Sequence, residues 1–121
     1  VAEVFGRKGA CTFILCARAE DGIGEGVFRQ WLKEAATPEE VIDRFRLEGF
    51  NTGNNKAFMY ARALTKGRVI IVSENVDPKE LGEMMLDWAP DLQTALDRVI
   101  AEKTPEKIIV LPKAVNLIPE A

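Results

Sequence analysis

Three apolar runs constrain the fold of this chain more than any other feature of its sequence. They are CTFILCA, RVIIVS and KIIVLP, at residues 11–17, 68–73 and 107–112. Each run is continuously apolar, which is typical of parallel strands in a sheet that is covered on both faces. Helical patterns lie between the runs. Strands that alternate with helices predict an α/β fold, a three-layer sandwich with a mostly parallel, Rossmann-like sheet.

The segments between these runs carry helix signals. TPEE, at residues 37–40, places a capping threonine before a proline and a glutamate, which is typical of a helix start, and Gly49 ends that helix. DPKE, at residues 77–80, predicts a second such start. Apolar stripes at helical spacing predict three further helices: Val27, Phe28, Trp31, Leu32 and Ala35; Ala57, Phe58, Ala61 and Leu64; and Leu92, Ala95, Leu96, Val99 and Ile100.

The helix count between the first two runs predicts which loops share one edge of the sheet. Three helices, an odd number, return the chain to the edge at which the first strand began, so the two strands are parallel. The loops at the carboxyl ends of the strands then lie at one edge with the turn between the second and third helices. Open α/β sheets bind ligands at that edge. We therefore expect four loops to converge there, at residues 20–26, 50–56, 73–77 and 111–116.

Length, charge and composition exclude several kinds of site. The 121 residues suit a single domain, residues 1–121. The net charge of −3, without a basic stripe, gives no footprint for nucleic acid. No apolar run approaches the roughly 20 residues of a membrane span. The sequence contains no histidine, which excludes a histidine base or histidine metal ligand within this chain.

The two cysteines are expected to pack in the core and to have no disulfide or metal-binding role. Cys11 and Cys16 are five residues apart in one apolar run, so they lie on opposite faces of a strand. They can therefore neither pair with each other nor bind one metal ion. We expect both to be buried, reduced thiols, which fits a cytoplasmic protein.

The segment EDGIGEG, at residues 20–26, lies between the first predicted strand and the first predicted helix. Its glycine spacing is G-x-G-x-G, which differs from the G-x-G-x-x-G of dinucleotide-binding loops. Glu25 also brings negative charge next to any phosphate. Three interpretations remain open: a nucleotide-phosphate loop, a flexible glycine-rich corner, and a loop that approaches another kind of ligand or another domain.

The segment TGNNK, at residues 52–56, precedes the third predicted helix. Thr52 or Asn54 can cap that helix. Lys56 then lies in the first helical turn, where the helix dipole disfavours a cation. It is either a solvated lysine or a lysine that reaches towards an anion, which backbone amides at the same helix start help to hold.

The order of these motifs resembles the C-terminal domain of the nickel-dependent lactate racemase family. The matching motifs are the strand followed by DGIG, the helix with FRQWL, the helix start TPEEV, the helix start GNNKA, the unit VIIVSENVDP and the final run IIVLP. The resemblance spans nearly the whole chain. The order and spacing of the motifs carry it more than any single motif does.

The resemblance implies a larger parent enzyme, a two-domain racemase or epimerase of 2-hydroxy acids. Such enzymes use a nickel pincer nucleotide that is tethered to a lysine and ligated by histidine in the N-terminal domain. This chain is then the excised C-terminal domain, which covers the substrate, holds no cofactor of its own and has no turnover when isolated. Its implied partners are the N-terminal nickel domain and a small hydroxy acid.

The resemblance also implies site residues. DGIG places Asp21, Gly22 and Gly24 in the wall of an interdomain cleft, while Asn54 and Asn55 orient hydroxyl groups of the substrate. Lys56 contacts a carboxylate or phosphate. Asn55 stands where relatives often carry histidine, so the substrate can differ from lactate. The alternative interpretation is a non-catalytic α/β module that binds a small acid or a protein partner.

Overall fold

The computed structural model describes residues 11–24 and 26–116. Three strands, five helices and a short 3₁₀ turn at Ala114–Asn116 follow one another along this part of the chain. The strands are β1 (Cys11–Cys16), β2 (Gly67–Val72) and β3 (Asp87–Ala89), and the helices are α1 (Val27–Glu34), α2 (Pro38–Glu48), α3 (Asn54–Leu64), α4 (Pro78–Glu83) and α5 (Leu92–Glu102).

The three strands form a parallel sheet in the order β1-β2-β3. Cys11 lies opposite Gly67 and Cys16 opposite Val72, while Ile70 lies opposite Asp87 at the start of β3. Three helices separate β1 from β2, as the helix count requires for a parallel pair. The predicted α/β fold with a parallel sheet is therefore confirmed, as are the two strands expected near residues 11–17 and 68–73.

Helices cover both faces of the sheet. On one face Ile71 joins the main core, to which α1–α4 contribute buried side chains such as Leu32, Val41 and Leu81. On the other face, Ile70 and Ala89 pack against Ala95 of α5. Full burial of one such aliphatic side chain contributes about 1.5–3 kcal/mol. The protein is thus a three-layer sandwich whose core is larger on the α1–α4 side.

The capping signals in the sequence form as predicted. The Thr37 side chain accepts a hydrogen bond from the backbone N–H of Glu40 at 3.4 Å, and α2 ends at Gly49, whose N–H donates to the carbonyl of Phe45. The Asp77 carboxylate accepts from the N–H of Lys79 at 2.9 Å and starts α4. These local contacts fix where helices begin, and so where loops meet the sheet.

The prediction of a strand over residues 107–112 is wrong for this structure. Residues 107–111 are irregular, and Ile108, Ile109 and Val110 are exposed. The third strand is instead Asp87–Ala89, a stretch too short and too polar to produce an apolar run. Trp88 anchors it by donating from Nε1 to the carbonyl of Ser73 at 2.9 Å.

The two cysteines form no disulfide, but the expectation that both are buried is wrong. Cys11 is half-buried, whereas Cys16 is exposed. The reason is topological, because Cys16 ends β1, which within the described residues has a neighbouring strand on one side only. Within the described residues, the longest helices have 11 residues, and none is long and apolar enough to cross a membrane.

Candidate functional site at the carboxyl edge of the sheet

The starts of α1 and α3 lie side by side at the carboxyl edge of the sheet. Gly53 directly precedes α3, and a Cβ added there would lie 3.1 Å from Cβ of Val27, the first residue of α1. Gly53 also has a φ of 97°, which side chains rarely tolerate. A glycine is therefore required for this close approach. The loops at residues 20–26 and 50–56, far apart in sequence, meet here.

Neither of these two helix starts is capped by a side chain. Gly26 precedes α1 and Gly53 precedes α3, and neither helix has an acidic residue in its first turn. The first amides of a helix have no partner within the helix and carry the positive end of its dipole. Two neighbouring sets of backbone N–H groups thus lie at one edge without a side-chain acceptor among the described residues.

The loop that leads into α1 turns sharply. Ala19 and Gly22 both have positive φ values, 47° and 80°, and the N–H of Gly22 donates to the carbonyl of Ala19 at 2.9 Å. Asp21 and Gly22 are exposed. Gly24 lies against the ring of Phe28, which fixes the end of the loop to α1. The DGIG segment therefore presents Asp21 and Gly22 to solvent at the same edge.

A chain of hydrogen bonds anchors this loop to the strands. The carbonyl of Arg18 accepts from Oγ of Ser73 at 3.0 Å and from Nδ2 of Asn75 at 2.6 Å. Trp88 reaches back to the carbonyl of Ser73, and its own carbonyl accepts from Arg98 at 2.9 Å. Ser73 is 4% exposed, whereas Arg18 and Asn75 are exposed at this edge. The hydrogen bonds tie the loop to the ends of β2 and β3.

Asn54 holds the turn before α3 together. It is 1% exposed, its Oδ1 accepts from the N–H of Asn51 at 2.8 Å, and its Nδ2 donates to the carbonyl of Gly49 at 2.9 Å. The expectation that Thr52 or Asn54 caps α3 is wrong, because Gly53 occupies the capping position. Asn54 also does not present its amide to solvent as a group that orients a substrate hydroxyl would. Its amide instead ties the backbone of Gly49 and Asn51 to the start of α3.

The next two residues of α3 face outward to different degrees. Asn55 is half-buried and Lys56 is exposed in the first turn. Within residues 11–24 and 26–116, no carboxylate pairs with Lys56. Lys56 and the two open helix starts place positive charge at this edge, which also carries the exposed carboxylates of Glu20, Asp21 and Glu74.

Aromatic packing underlies both helix starts. The rings of Phe28 in α1 and Tyr60 in α3 meet edge to face, with centroids 5.7 Å apart. Burial raises the pKa of Tyr60 to about 12, so this phenol stays protonated near neutral pH and cannot act as a base. The contact keeps the two helices parallel and close. Helical spacing placed Phe28 on the inward stripe of α1, but it did not identify Tyr60 as its partner.

The same edge holds an open cleft of about 450 Å³ on the α5 side of the loop. Three segments line it, residues 16–18, 72–75 and 90–92. The sequence predicted that the first two segments lie at this edge. It did not predict the position of residues 90–92, because they follow β3, a strand that no sequence pattern indicated. Within the described residues, no group of three or more Cys, Asp or Glu side chains could hold a metal ion.

Comparison with known proteins identifies the family. Residues 1–119 match the family model described as "Lactate racemase C-terminal domain". The chain is 31% identical over 125 residues to the lactate racemase of Lactiplantibacillus plantarum, covering 97% of this chain and 28% of that protein. It is 28% identical over 116 residues to the lactate racemase of Thermoanaerobacterium thermosaccharolyticum, covering 93% of this chain and 26% of that protein.

A solved structure gives the same result. The lactate racemase apoprotein from Thermoanaerobacterium thermosaccharolyticum superposes with a TM-score of 0.72 at 26% sequence identity, over 77% of this chain and 23% of that one. The chain thus spans about a quarter of the length of these relatives. Sequence and fold agree over most of the described residues, and the chain belongs to the lactate racemase C-terminal domain family.

Proposed function

We propose that this chain is the C-terminal, substrate-covering domain of a two-domain, lactate-racemase-like enzyme that racemises or epimerises a 2-hydroxy acid. The observation that carries the proposal is the pair of open helix starts at α1 and α3, which lie side by side with Lys56. A 2-hydroxy acid carries a carboxylate at neutral pH. Backbone amides at helix starts bind such anions without a dedicated side chain.

Within this proposal the residues have distinct tasks. Lys56 contacts the carboxylate or a phosphate, and the amides after Gly26 and Gly53 share its charge. Asn55, half-buried beside Lys56, orients a hydroxyl group. Asp21, Gly22 and Gly24 form the wall of the cleft opposite the N-terminal domain. Asn54 acts through the turn that it holds and does not touch the substrate.

Exposed apolar side chains at this edge support the proposal that another domain covers it. Val27, at the start of α1, is 39% exposed, and Phe50, in the turn before α3, is 75% exposed. Both flank the open helix starts. A partner domain that closes over this edge would bury them and exclude water, which strengthens every charge interaction inside the site.

The residues of this chain do not fit a nickel site. The sequence has no histidine, and the described part of the chain contains no group of potential ligands that could hold a metal ion. We therefore assign the nickel pincer nucleotide to the N-terminal part of the parent enzyme, where it supplies hydride transfer. The residues of this chain bind and orient the substrate and exclude water.

The proposal is tested by titrating the isotopically labelled chain with L-lactate and D-lactate and following the amide chemical shifts. We expect shifts at residues 26–29 and 53–56, because these amides lie at the two open helix starts. Lys56→Ala should weaken lactate binding at least about tenfold, since one charge-assisted contact contributes roughly 1.5–3 kcal/mol. Lys103→Ala is the matched control, because it removes an exposed lysine at the far end of α5.

Two outcomes would contradict parts of the proposal. Shifts that avoid both helix starts, or that are the same in Lys56→Ala and Lys103→Ala, would overturn the carboxylate site. Racemisation of lactate by the isolated chain would overturn the assignment of chemistry to the N-terminal part. Lactate binding at this edge that no nickel-bearing partner converts into turnover would instead favour the non-catalytic binding module.

A further inference from the structure

We propose that hydrogen bonds to the carbonyl of Arg18 keep the open start of α1 free for an anion from outside the chain, because they hold the carboxylate of Asp21 away from it. Asp21 lies in the loop that leads into α1 and is exposed. No described side chain caps α1. The loop thus carries an anion of its own next to an uncapped helix start, and the structure keeps the two apart.

An unrestrained Asp21 would compete for this helix start. Aspartate is among the preferred capping residues, and the helix dipole attracts negative charge to the first turn. Asp21 precedes Gly26, the residue before α1, by only five positions. A connection as short as this gives the carboxylate an effective concentration of about millimolar or more at the helix start. A restraint on Asp21 is therefore needed if an external anion is to bind there at low concentration.

The restraint begins at Ala19, which has an unusual backbone conformation. Its φ is 47°, and only one other non-glycine residue in the described part of the chain, Met85, has a positive φ. A side chain makes this conformation unfavourable, so it persists only where surrounding contacts impose it. On the downstream side, the carbonyl of Ala19 accepts from the N–H of Gly22 at 2.9 Å and closes the turn that contains Asp21. The direction of this turn therefore depends on the backbone at Ala19.

Two side chains fix the backbone immediately before Ala19. The carbonyl of Arg18 accepts from Oγ of Ser73 at 3.0 Å and from Nδ2 of Asn75 at 2.6 Å. Oγ of Ser73 also accepts from the N–H of Asn75 at 3.3 Å, which holds the two donors together. Because Ser73 is 4% exposed, the pair is tied to the buried end of β2. Ser73 and Asn75 are thus positioning residues that act on the turn through the Arg18 carbonyl.

Contacts of the charged side chains do little to restrain the turn. The guanidinium of Arg18 lies 3.5 Å from the carboxylate of Glu20, but both are largely exposed, and such pairs contribute little. Within the described residues, no group pairs with Asp21. The contact of Gly24 with the ring of Phe28 lies after the turn and fixes the end of the loop. The hydrogen bonds at the Arg18 carbonyl act at the start of the loop, so they determine the direction in which the turn projects.

Removing both donors tests the restraint in the protein without ligand. Ser73→Ala combined with Asn75→Ala leaves the Arg18 carbonyl to water. Glu74→Ala is the matched control, since this exposed residue lies between the two and has no partner within the described residues. In the double variant, and not in the control, the strong nuclear Overhauser effect between the amide and Hα protons of Ala19, which marks a positive φ, should weaken.

The start of α1 should respond in the same double variant. Asp21 then caps α1, so the amides of residues 26–29 should shift, and adding Asp21→Ala should reverse the shift. The indole N–H of Trp88, which donates to the carbonyl of Ser73, should stay protected from solvent exchange and show that the sheet is intact. Shifts at residues 26–29 that persist with Asp21→Ala, or an Ala19 signal that survives the double variant, would overturn the proposal.

Titration with L-lactate then tests the consequence for the site, which rests on the proposed function. The lactate affinity of the double variant should fall about two- to fivefold, the effect of one charge at a helix start. In an Asp21→Ala background the same two changes should leave the affinity unchanged, which a purely structural loss would not do. No loss in the double variant, or a loss that persists in that background, would overturn the proposal. Lactate that fails to bind the unaltered chain would overturn the proposed function, while the shifts without ligand still decide whether Asp21 is restrained.

Discussion

Two kinds of helix start occur in this domain, and they differ in what satisfies their first amides. α2, α4 and α5 begin at Thr37, Asp77 and Asp91, each of which accepts a backbone hydrogen bond in its side chain. α1 and α3 begin after Gly26 and Gly53, without a side-chain cap. Position at the carboxyl edge does not explain the difference, because α4 and α5 also start there. What α1 and α3 share is that their starts lie side by side.

Open and capped helix starts are therefore stabilised by different interactions. A side-chain cap contributes about 1 kcal/mol and consumes one or two amides. An open start keeps its amides available, and its geometry must be held by something else. Around α3 the support is the buried amide of Asn54 and the contact of Gly53 with Val27. Substitutions at the two kinds of helix start distinguish these interactions, and the largest loss of stability is expected at Asn54.

Asn54→Ala should have the largest effect on stability. It leaves the N–H of Asn51 and the carbonyl of Gly49 without their buried partner, which should cost about 3 kcal/mol in the free energy of unfolding. Asn55→Ala, one residue further along α3, is the control and should cost less than about 1 kcal/mol. Urea unfolding of both variants measures the difference. Equal losses would show that the turn before α3 does not depend on the Asn54 amide.

Gly53→Ala should have the next largest effect. The new Cβ would lie 3.1 Å from Val27 at a φ of 97°, and such a conformation costs a residue with a side chain about 1–3 kcal/mol. Gly82→Ala in α4 is the matched control, because a Cβ there meets nothing within 4 Å. That change should stabilise the protein by about 0.5–1 kcal/mol. Opposite shifts in thermal midpoint are expected, and shifts of the same sign would break the argument that Gly53 is required by the close approach of α1 and α3.

Local signals in the sequence predicted two of the capped helix starts. TPEE and DPKE identified the starts of α2 and α4, because a capping residue lies within three positions of the amide that it satisfies. The adjacency of the loops at α1 and α3 followed from counting helices, which is a topological argument and needs no side-chain detail. The α/β fold could be predicted because apolar, strand-like runs alternate with helical patterns along the chain.

Contacts between distant residues could not be predicted. The tie from Ser73 to Arg18 spans 55 residues, and Trp88 lies in a strand of only three residues that has no apolar run to reveal it. The family resemblance placed Asn54 among the substrate-contacting residues, because it lies in the matched motif GNNKA. Its orientation depends on the turn at residues 49–51, which the sequence does not encode in any short pattern. The apolar run at residues 107–112 predicted a strand, but in the structure residues 107–111 are irregular and Ile108, Ile109 and Val110 are exposed.

Thr37→Ala should have a moderate effect, on the capped side of the comparison. Removing the Thr37 hydroxyl leaves the N–H of Glu40 to water, which should cost about 1 kcal/mol. Thr37→Ser keeps the acceptor and should restore most of the stability. Denaturant midpoints of the two variants check the expectation. A loss in Thr37→Ala as large as that in Asn54→Ala would mean that capped and open starts depend equally on one side chain.

The smallest effect should be the acid response of α5. Hydrogen bonds from the N–H and hydroxyl of Thr94 lower the pKa of Asp91 below its ordinary value of 3.8. Because the folded pKa is the lower one, the stabilisation is fully present above pH 3.8 and is lost as the pH falls through the folded pKa. The amide shift of Thr94 should therefore titrate below pH 3.8, and Asp91→Asn, which keeps an acceptor, should abolish that titration. Amides at the start of α3, which no carboxylate caps, should stay flat over the same range, and a matching transition there would show that an acidic group caps the open start after all.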